Sequence, residues 1–391
     1  MSIDDQRKKL DLIDDEILRL LAERVDLARS VASAKKVDGS RLRDRKREAE
    51  LLARLQQGAR DAGLPVDAVT RVYQEILNLS FHEQIAILSG SSDTDKIVRI
   101  GYQGVPGAYS QWAGKRVGSA RRWNTEMVGC RTFKAVAEAV VDGRVDFGIL
   151  PIENTVAGSI NDTYDLLQKY SLFIVGEEAV PIAHCLAAVK SVPLEQIKRV
   201  YSHPQALAQC SAFLDDLSGA EVHSFFDTAA AMKKVADDQD ESAAAIAGTH
   251  AAEMYGLVVL KYQIANQPEN LTRFLLVGTQ KQTVPTGVAA KTSIILTVRH
   301  EEGALLKALN TMHRYKANLT KLESRPRPGA PWQYYFYIDF EGNESEPQVA
   351  EMLQSLEQTA QELRVLGSYV SRTVSEGRPI TPDEIRNSGS T

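Results

Sequence analysis

The sequence predicts a multidomain protein: an all-α segment, then an α/β segment, then an α+β segment. Three observations predict it. Residues 5 to about 37 hold neither Pro nor Gly and repeat their apolar side chains at helical spacing. From about residue 97 to about 280, strand-like and helix-like stretches alternate. The last hundred residues read β-α-β-β-α-β, the ferredoxin-like order. A chain of 391 residues has room for two or three domains at about 100–200 residues each.

Composition narrows the function classes. An apolar content of 43% and a charged content of 25% are those of an ordinary globular chain. A net charge of −5 gives no global reason to expect nucleic-acid or membrane binding. No apolar run reaches the roughly 18 residues of a membrane span, and Met1-Ser2-Ile3-Asp4-Asp5 lacks a secretory core. Cys130, Cys185 and Cys210 are widely spaced with no CxxC, which argues against a disulfide framework and fits a reducing cytosol. The seven His include no HExxH, so neither metal nor cofactor is expected.

In the first segment, Leu10, Ile13, Ile17, Leu20, Ala28 and Val31 form one helical stripe, and Arg7, Arg24 and Lys35 fall on it. Cations on a buried stripe must be paired. Arg41, Arg43, Arg45, Lys46 and Arg47 surround Asp44, ahead of a helix carrying Leu51, Leu52 and Leu55. Gly58, Gly63 and Pro65 are expected to break the chain. A third helix places Ser80 and Gln84 among Val69, Tyr73, Ile76 and Ile87. Polar groups interrupting two apolar faces suggest a cationic pocket for a small polyanion. A helix of about 33 residues is about 50 Å long, and two shorter helices cannot cover it. An intertwined dimer is the economical solution.

Residues 5–88 resemble the all-helical chorismate mutase family. The resemblance implies that Arg7 (from a partner subunit), Arg24, Lys35, Asp44, Arg47, Glu48, Ser80 and Gln84 bind chorismate. The chemistry fits: a pericyclic rearrangement needs a clamp on a dicarboxylate and charge stabilisation at the breaking ether. Arg7, Arg24 and Arg47 would grip carboxylates bidentately. Lys35 and Gln84 would donate to the ether oxygen, and Glu48 would hold a hydroxyl.

After Gly90–Asp95, which reads as a linker, Ile97–Tyr102 reads as a strand running into the Gly-rich turn Gly104–Ser110. This is not GxGxxG, so a nucleotide reading is weak. Further strands are expected at Phe147–Leu150, Leu172–Val175, His184–Val189, Val200–Tyr201 and Ala243–Ala247, with a helix over Thr132–Val141. Polar clusters sit at strand ends: Pro151–Thr155, Tyr201–Gln205, and Asn270–Phe274 ahead of the strand Phe274–Val277. Sites in open α/β sheets lie beyond such ends.

These clusters, with Gly158–Asp162, resemble prephenate dehydratase over about residues 97–280. The resemblance implies two α/β lobes, like a periplasmic binding protein, with a cleft between them. It implies Thr272 as proton donor to a departing hydroxyl. Glu153, Asn154, Ser202, Gln209, Arg273 and Phe274 complete the implied prephenate site, with Arg273 facing substrate carboxylates. His203 is open between a structural and a contact role.

The terminal segment is expected as strand Thr292–Val298, helix Gly303–Tyr315, strands Leu319–Ser324 and Gln333–Phe340, helix Glu346–Leu363 and strand Val365–Val370. It resembles an ACT regulatory domain. Gly303-Ala304-Leu305-Leu306 and Glu323-Ser324-Arg325-Pro326 resemble the two motifs that bind phenylalanine at a domain interface. The polar tail from Ser375 reads as mobile.

Together the resemblances imply domains at 1–90, 97–280 and 290–372. They imply a cytoplasmic bifunctional chorismate mutase–prephenate dehydratase with phenylalanine as effector, a homodimer or higher oligomer. Two rivals make different demands. A non-catalytic amino-acid sensor has no use for the cationic pocket. A nucleic-acid patch over Lys35–Arg47 is disfavoured by Asp38, Asp44 and Glu48.

Overall fold

The structure, a computed structural model, describes residues 3–38, 45–89, 96–217, 219–285 and 288–371. Gly90–Asp95, Asp44 and the tail from Ser375 lie outside the described residues, as do the side chains of Lys35 and Glu48. One compact unit takes the helical segment, residues 115–126 and the chain from 280 to 370; the other takes 101–114 and 127–279.

The first segment is three helices, α1 (Ile3–Asp38), α2 (Arg45–Asp61) and α3 (Val66–Ser89). Gly58, expected as a breaker, lies inside α2, where an added Cβ would meet nothing within 4 Å. The break comes at Gly63, whose φ is +68°, the left-handed conformation that glycine adopts at no steric cost. On α1, Ala28 and Ala32 are buried. The rest of the expected stripe is not: Leu10, Ile13, Ile17, Leu20 and Val31 are exposed, and their neighbours Leu12 and Leu18 stand 69% and 65% open. The other two helices are too short to cover a helix of 36 residues.

The middle of the chain alternates as expected: β1 (Ile97–Gln103), α4 (Tyr109–Ala120), β2 (Asn124–Cys130), α5 (Phe133–Val141), β3 (Phe147–Asn154), β4 (Gly158–Ser159), α6 (Asn161–Lys169) and β5 (Phe173–Pro181). Then follow β6 (His184–Ala188), β7 (Arg199–Ser202), α7 (Pro204–Gln209), α8 (Ser211–Asp216), β8 (Glu221–Ser224), α9 (Thr228–Asp238), β9 (Ala243–Gly248), α10 (Thr249–Met254), β10 (Val258–Lys261) and β11 (Leu271–Gly278). They make two sheets. One runs β2-β1-β3-β11-β5, with β4 on β3; the other runs β10-β6-β9-β7-β8. The chain leaves the first sheet after β5 and returns to it as β11. Two lobes joined by two crossings result.

The strand β11 is the return crossing, and it lies in the sheet interior, antiparallel to both β3 and β5. Its Phe274–Val277 stretch is fully buried, so packing on both faces fixes its register. It begins at Leu271, earlier than the sequence suggests, so Thr272 and Arg273 are strand residues with side chains on opposite faces. Likewise β3 runs through Pro151–Asn154, expected as a strand end.

The last segment is β12 (Ala290–Thr297), α11 (Ala304–Arg314), β13 (Leu319–Pro326), β14 (Tyr334–Glu341), α12 (Pro347–Thr359) and β15 (Glu362–Val370). Its sheet runs β13-β14-β12-β15, all antiparallel, which is the ferredoxin-like topology. Ile294, Leu296, Ile338 and Phe340 pack against Ala308 and Met312 of α11 and Met352 and Leu356 of α12. No helix among the described residues is long and apolar enough to cross a membrane.

Candidate active site

Thr272 is held by one amide. The Asn154 side chain, at the end of β3 and paired in register with Thr272, donates from Nδ2 to Thr272 Oγ1 at 2.9 Å, to Asn270 Oδ1 at 2.6 Å and to the Leu271 carbonyl at 3.1 Å. Its Oδ1 accepts from the backbone N–H of Val156 at 3.1 Å and of Ala157 at 2.8 Å. Backbone N–H groups only donate, so the amide cannot be flipped. Thr272 Oγ1 therefore accepts from Asn154, which leaves its own hydrogen free to donate elsewhere. Beyond Asn270 the network continues: Asn270 Nδ2 donates to Gln209 Oε1 at 3.1 Å, and His184 Nε2 lies 3.0 Å from that same oxygen.

This network borders a cavity of about 650 Å³ between the two lobes, lined by Asn154, Thr272 and Phe274 from one and by His184, His203, Gln209 and Asp227 from the other. That volume suits a small organic ligand, for which pockets run about 300–1,000 Å³. Burial lowers the pKa of His184 and of His203 and raises that of Asp227. Asp227 caps α9, accepting from Ala230 N at 2.9 Å. The cations on the cavity wall are Arg131 and Lys134, at the start of α5. The Thr132 hydroxyl caps that helix by accepting from Ala135 N at 3.1 Å, and the helix N-terminus adds positive potential there.

Arg273 does not face this cavity as the sequence suggests. Its guanidinium points to the other side of β11, donating from Nε to Glu177 at 2.7 Å and from Nη1 to Glu153 at 3.1 Å. Arg273 is 8% exposed and Glu177 2%. Strand periodicity is the reason: with Thr272 toward the cavity, Arg273 must point away. Glu153 is thereby an ion-pair partner of Arg273 and is likewise absent from the cavity wall. Ser202 is fully buried and donates to the Ile246 carbonyl at 2.6 Å, tying β7 to β9 rather than reaching the cavity. His203 Nδ1 accepts from Gln205 N at 3.2 Å as the cap of α7, and its ring lines the cavity. Arg131, Lys134, Asp227 and His184 were not singled out by sequence. Each is a lone residue on an ordinary element, and only the fold collects them.

In the helical segment, Arg24 of α1 donates to Ser80 Oγ of α3 and, at 3.1 Å, to the Ile76 carbonyl. Ser80 is buried, and Gln84, one turn on, is half-buried. Arg7 is exposed and lies 3.8 Å from Asp4. It is seventeen residues from Arg24 on the same helix, about 26 Å at 1.5 Å per residue. One chain therefore cannot bring Arg7 and Arg24 to a single small ligand. Arg47 is exposed on α2. In the last segment, Gly303 takes φ +74° at the start of α11. Ala304 is buried, Leu305 half-buried and Leu306 exposed. Glu323, Ser324, Arg325 and Pro326 sit on β13, which pairs with one neighbour only. No group of three His, Cys, Asp or Glu among the described residues is arranged to hold a metal.

Comparison with known proteins decides the family. The family profile of chorismate mutase type II matches residues 6–85, and that of prephenate dehydratase matches residues 100–282. The bifunctional chorismate mutase/prephenate dehydratase of Enterobacter agglomerans is 38% identical over 95% of this chain and 97% of its own length. The chain belongs to that family. The bifunctional chorismate mutase/prephenate dehydratase of Escherichia coli (strain K12) is 36% identical over 94% of this chain and 96% of its own. The chain is thus an enzyme with a chorismate mutase domain and a prephenate dehydratase domain. Among solved structures, the prephenate dehydratase of Arthrobacter aurescens in complex with L-Phe matches with a TM-score of 0.65, at 30% identity, over 75% of this chain and 97% of that one. GqqA, described as a quorum-quenching acylase, matches with a TM-score of 0.63 and 33% identity, over 70% and 98%. One fold thus carries two described activities, so the details of function must be argued from the site.

Proposed function

We propose that this member of the bifunctional family rearranges chorismate to prephenate at the helical segment. It then converts prephenate to phenylpyruvate in the cavity around Thr272, under feedback by L-phenylalanine. The orientation of the Thr272 hydroxyl carries the second step. Held as an acceptor by Asn154 Nδ2 at 2.9 Å, Thr272 has its proton available to the cavity it lines. The ring carboxylate leaves as CO2, and its bonding pair moves into the ring. The C–O bond breaks, and the departing hydroxide takes the Thr272 proton to become water. Solvent restores the proton. Aromatisation supplies driving force, which lets a weak acid serve. With Arg273 committed to Glu177 and Glu153, Arg131 and Lys134 are the cations that would meet the substrate carboxylates.

For the mutase step, Arg24, Ser80 and Gln84 would form one wall, a reading supported by the Arg24–Ser80 hydrogen bond, with Lys35, Asp44, Arg47 and Glu48 as further members by resemblance. The separation of Arg7 from Arg24 favours a homodimer in which Arg7 enters the other subunit's pocket. The exposed leucines of α1 support the same reading, since an apolar surface of that length calls for a partner. The ferredoxin-like segment would act as an ACT regulatory domain, with Gly303–Leu306 and Glu323–Pro326 holding phenylalanine. Metal-free, cofactor-free chemistry and three reduced cysteines suit a cytoplasmic enzyme.

Steady-state turnover of chorismate, prephenate and arogenate by the purified chain, with and without saturating phenylalanine, tests this. Conversion of the first two, with phenylalanine slowing phenylpyruvate formation, is expected. Equal rates with and without phenylalanine would refute the feedback, and no turnover of prephenate would refute the dehydratase step.

A further inference from the structure

At one end of the cavity a carboxylate and a guanidinium each stand without an ionic partner. Asp227 is 8% exposed and lines the cavity. Its Oδ1 accepts from Ala230 N at 2.9 Å as the cap of α9. Oδ2 accepts from no side chain among the described residues, and it keeps surface of its own rather than being sealed in. A glycine fixes where it lies: a Cβ on Gly104 would stand 2.8 Å from Oδ2, so only the missing side chain lets the carboxylate come so close. Gly104 N in turn donates to the Cys130 carbonyl at 3.0 Å, and the next residue, Arg131, is on the cavity wall. Arg131 is exposed and makes no ion pair among the described residues. The titratable neighbours of Asp227 are His203, Tyr102 and Tyr255. Burial lowers the pKa of the histidine and raises those of the tyrosines, so near neutral pH none of them is a cation. A buried carboxylate without a cation is costly, and among the described residues nothing supplies one.

A ligand with a carboxylate and an ammonium on one carbon answers both groups at once. Prephenate does not. Beside its side-chain carboxylate stands a ketone, which only accepts, so two acceptors meet at Asp227. The transaminated form, arogenate, has an ammonium in that place. We infer that Asp227 accepts from the side-chain ammonium of arogenate while Arg131 holds the carboxylate on the same carbon, so that the cavity takes the amino acid as a second substrate. This rests on the dehydratase reading and widens it. Ring hydroxyl and side chain leave opposite ends of the six-membered ring. A substrate with its hydroxyl at Thr272 therefore reaches across the cavity to the lobe that carries Asp227. The bond changes are the same as for prephenate. The C–C bond to the ring carboxylate breaks and its pair enters the ring, the C–O bond breaks, and the hydroxide takes the Thr272 proton. The products are CO2, water and phenylalanine. Asp227 touches neither breaking bond; it is a specificity-determining residue, distinct from the proton donor.

The full-length wild type and its variants are assayed on prephenate and on L-arogenate separately, reading phenylpyruvate and phenylalanine. Wild type is expected to turn over both. Asp227→Asn is nearly isosteric and keeps the cap of α9, since Asn is a favoured N-cap. Its ratio of kcat/KM for arogenate to that for prephenate is expected to fall about tenfold or more, the scale of one hydrogen bond to a charged group. Asp227→Ser, which also caps well, is expected to show the same fall. Arg131→Gln is expected to lower kcat/KM for both substrates alike, because both carry the carboxylate it holds. A wild type that turns over prephenate but not arogenate overturns the inference. So does a folded Asp227→Asn or Asp227→Ser enzyme whose ratio matches that of wild type. A wild type that turns over neither compound overturns the dehydratase reading, and this inference with it.

Discussion

Asn154→Asp is the sharpest test of how a plain threonine becomes an acid. The change is isosteric and replaces one NH2 by one oxygen. Oδ1 keeps its two backbone donors, Val156 N and Ala157 N, which hold the new carboxylate ionised. The other oxygen now faces Asn270 Oδ1, the Leu271 carbonyl and Thr272 Oγ1, at positions where the amide had donated across 2.6, 3.1 and 2.9 Å. Of these three partners only Thr272 carries a hydrogen it can turn. Its hydroxyl is expected to rotate onto the carboxylate and away from the substrate. A positioned general acid contributes about 10²- to 10⁴-fold, and a loss of that size in kcat for phenylpyruvate formation is expected. Losing the donors costs about 1 kcal/mol each, and stranding the Asn270 oxygen adds about 1–3 kcal/mol. With the two amide hydrogens gone, a stability loss of about 3–5 kcal/mol should therefore appear in denaturant unfolding. Chorismate consumption by the same preparation is the internal control, since residue 154 is far along the chain from the helical segment. A folded Asn154→Asp enzyme with a dehydratase kcat within about threefold of wild type would refute the reasoning.

Arg273→Met is expected to cost about 3–5 kcal/mol of stability, because it removes the cation that is ion-paired with the buried Glu177; a stable variant whose only defect is a raised KM would mean that Arg273 meets the substrate after all. Acid should weaken the fold through His184 and His203. Both pKa values are lowered in the folded state, so the unfolded chain binds more protons once the pH falls below about 6.5, and stability drops from there downward. Melting temperatures at pH 7.0 and 5.5 should differ less in His184→Gln than in wild type, and an equal drop in both would contradict this. Gly303→Val forces a β-branched residue to φ +74°, a conformation costing about 1–2 kcal/mol for non-glycine residues. It is expected to abolish phenylalanine inhibition while leaving the uninhibited dehydratase rate unchanged, and inhibition at wild-type strength would argue against that site.

Much of the architecture was legible because apolar periodicity reports it directly. The alternating middle segment and the β-α-β-β-α-β ending both follow from that signal. What was misjudged turns on boundaries and partners. Beginning β11 at Leu271 instead of Phe274 decides that Arg273 points away from Thr272, and no composition signal marks that start. Ser202 stands beside His203 in a polar cluster, yet its hydroxyl is spent inside the second lobe on the Ile246 carbonyl. Gly58 stays helical in the last turn of α2, on an exposed side where nothing crowds it, so local propensity yielded to context. The sequence reads the apolar stripe of α1 as a surface to be covered, and within one chain Leu10, Ile13, Ile17, Leu20 and Val31 of that stripe stand exposed. His184 gave no signal at all. A lone histidine in an apolar strand reads as core, and only the chain of amides from Val156 to Gln209 gives it an orientation.

The central claim is that one chain carries two separable active sites acting in series. The most direct measurement is to feed chorismate alone to the wild type, Arg24→Ala and Thr272→Ala and to separate the products by chromatography. Wild type should yield phenylpyruvate. Arg24→Ala should leave chorismate standing yet still convert added prephenate, and Thr272→Ala should consume chorismate and accumulate prephenate. Phenylpyruvate formed at the wild-type rate by either variant fed chorismate, or loss of both activities in one folded variant, would contradict the account.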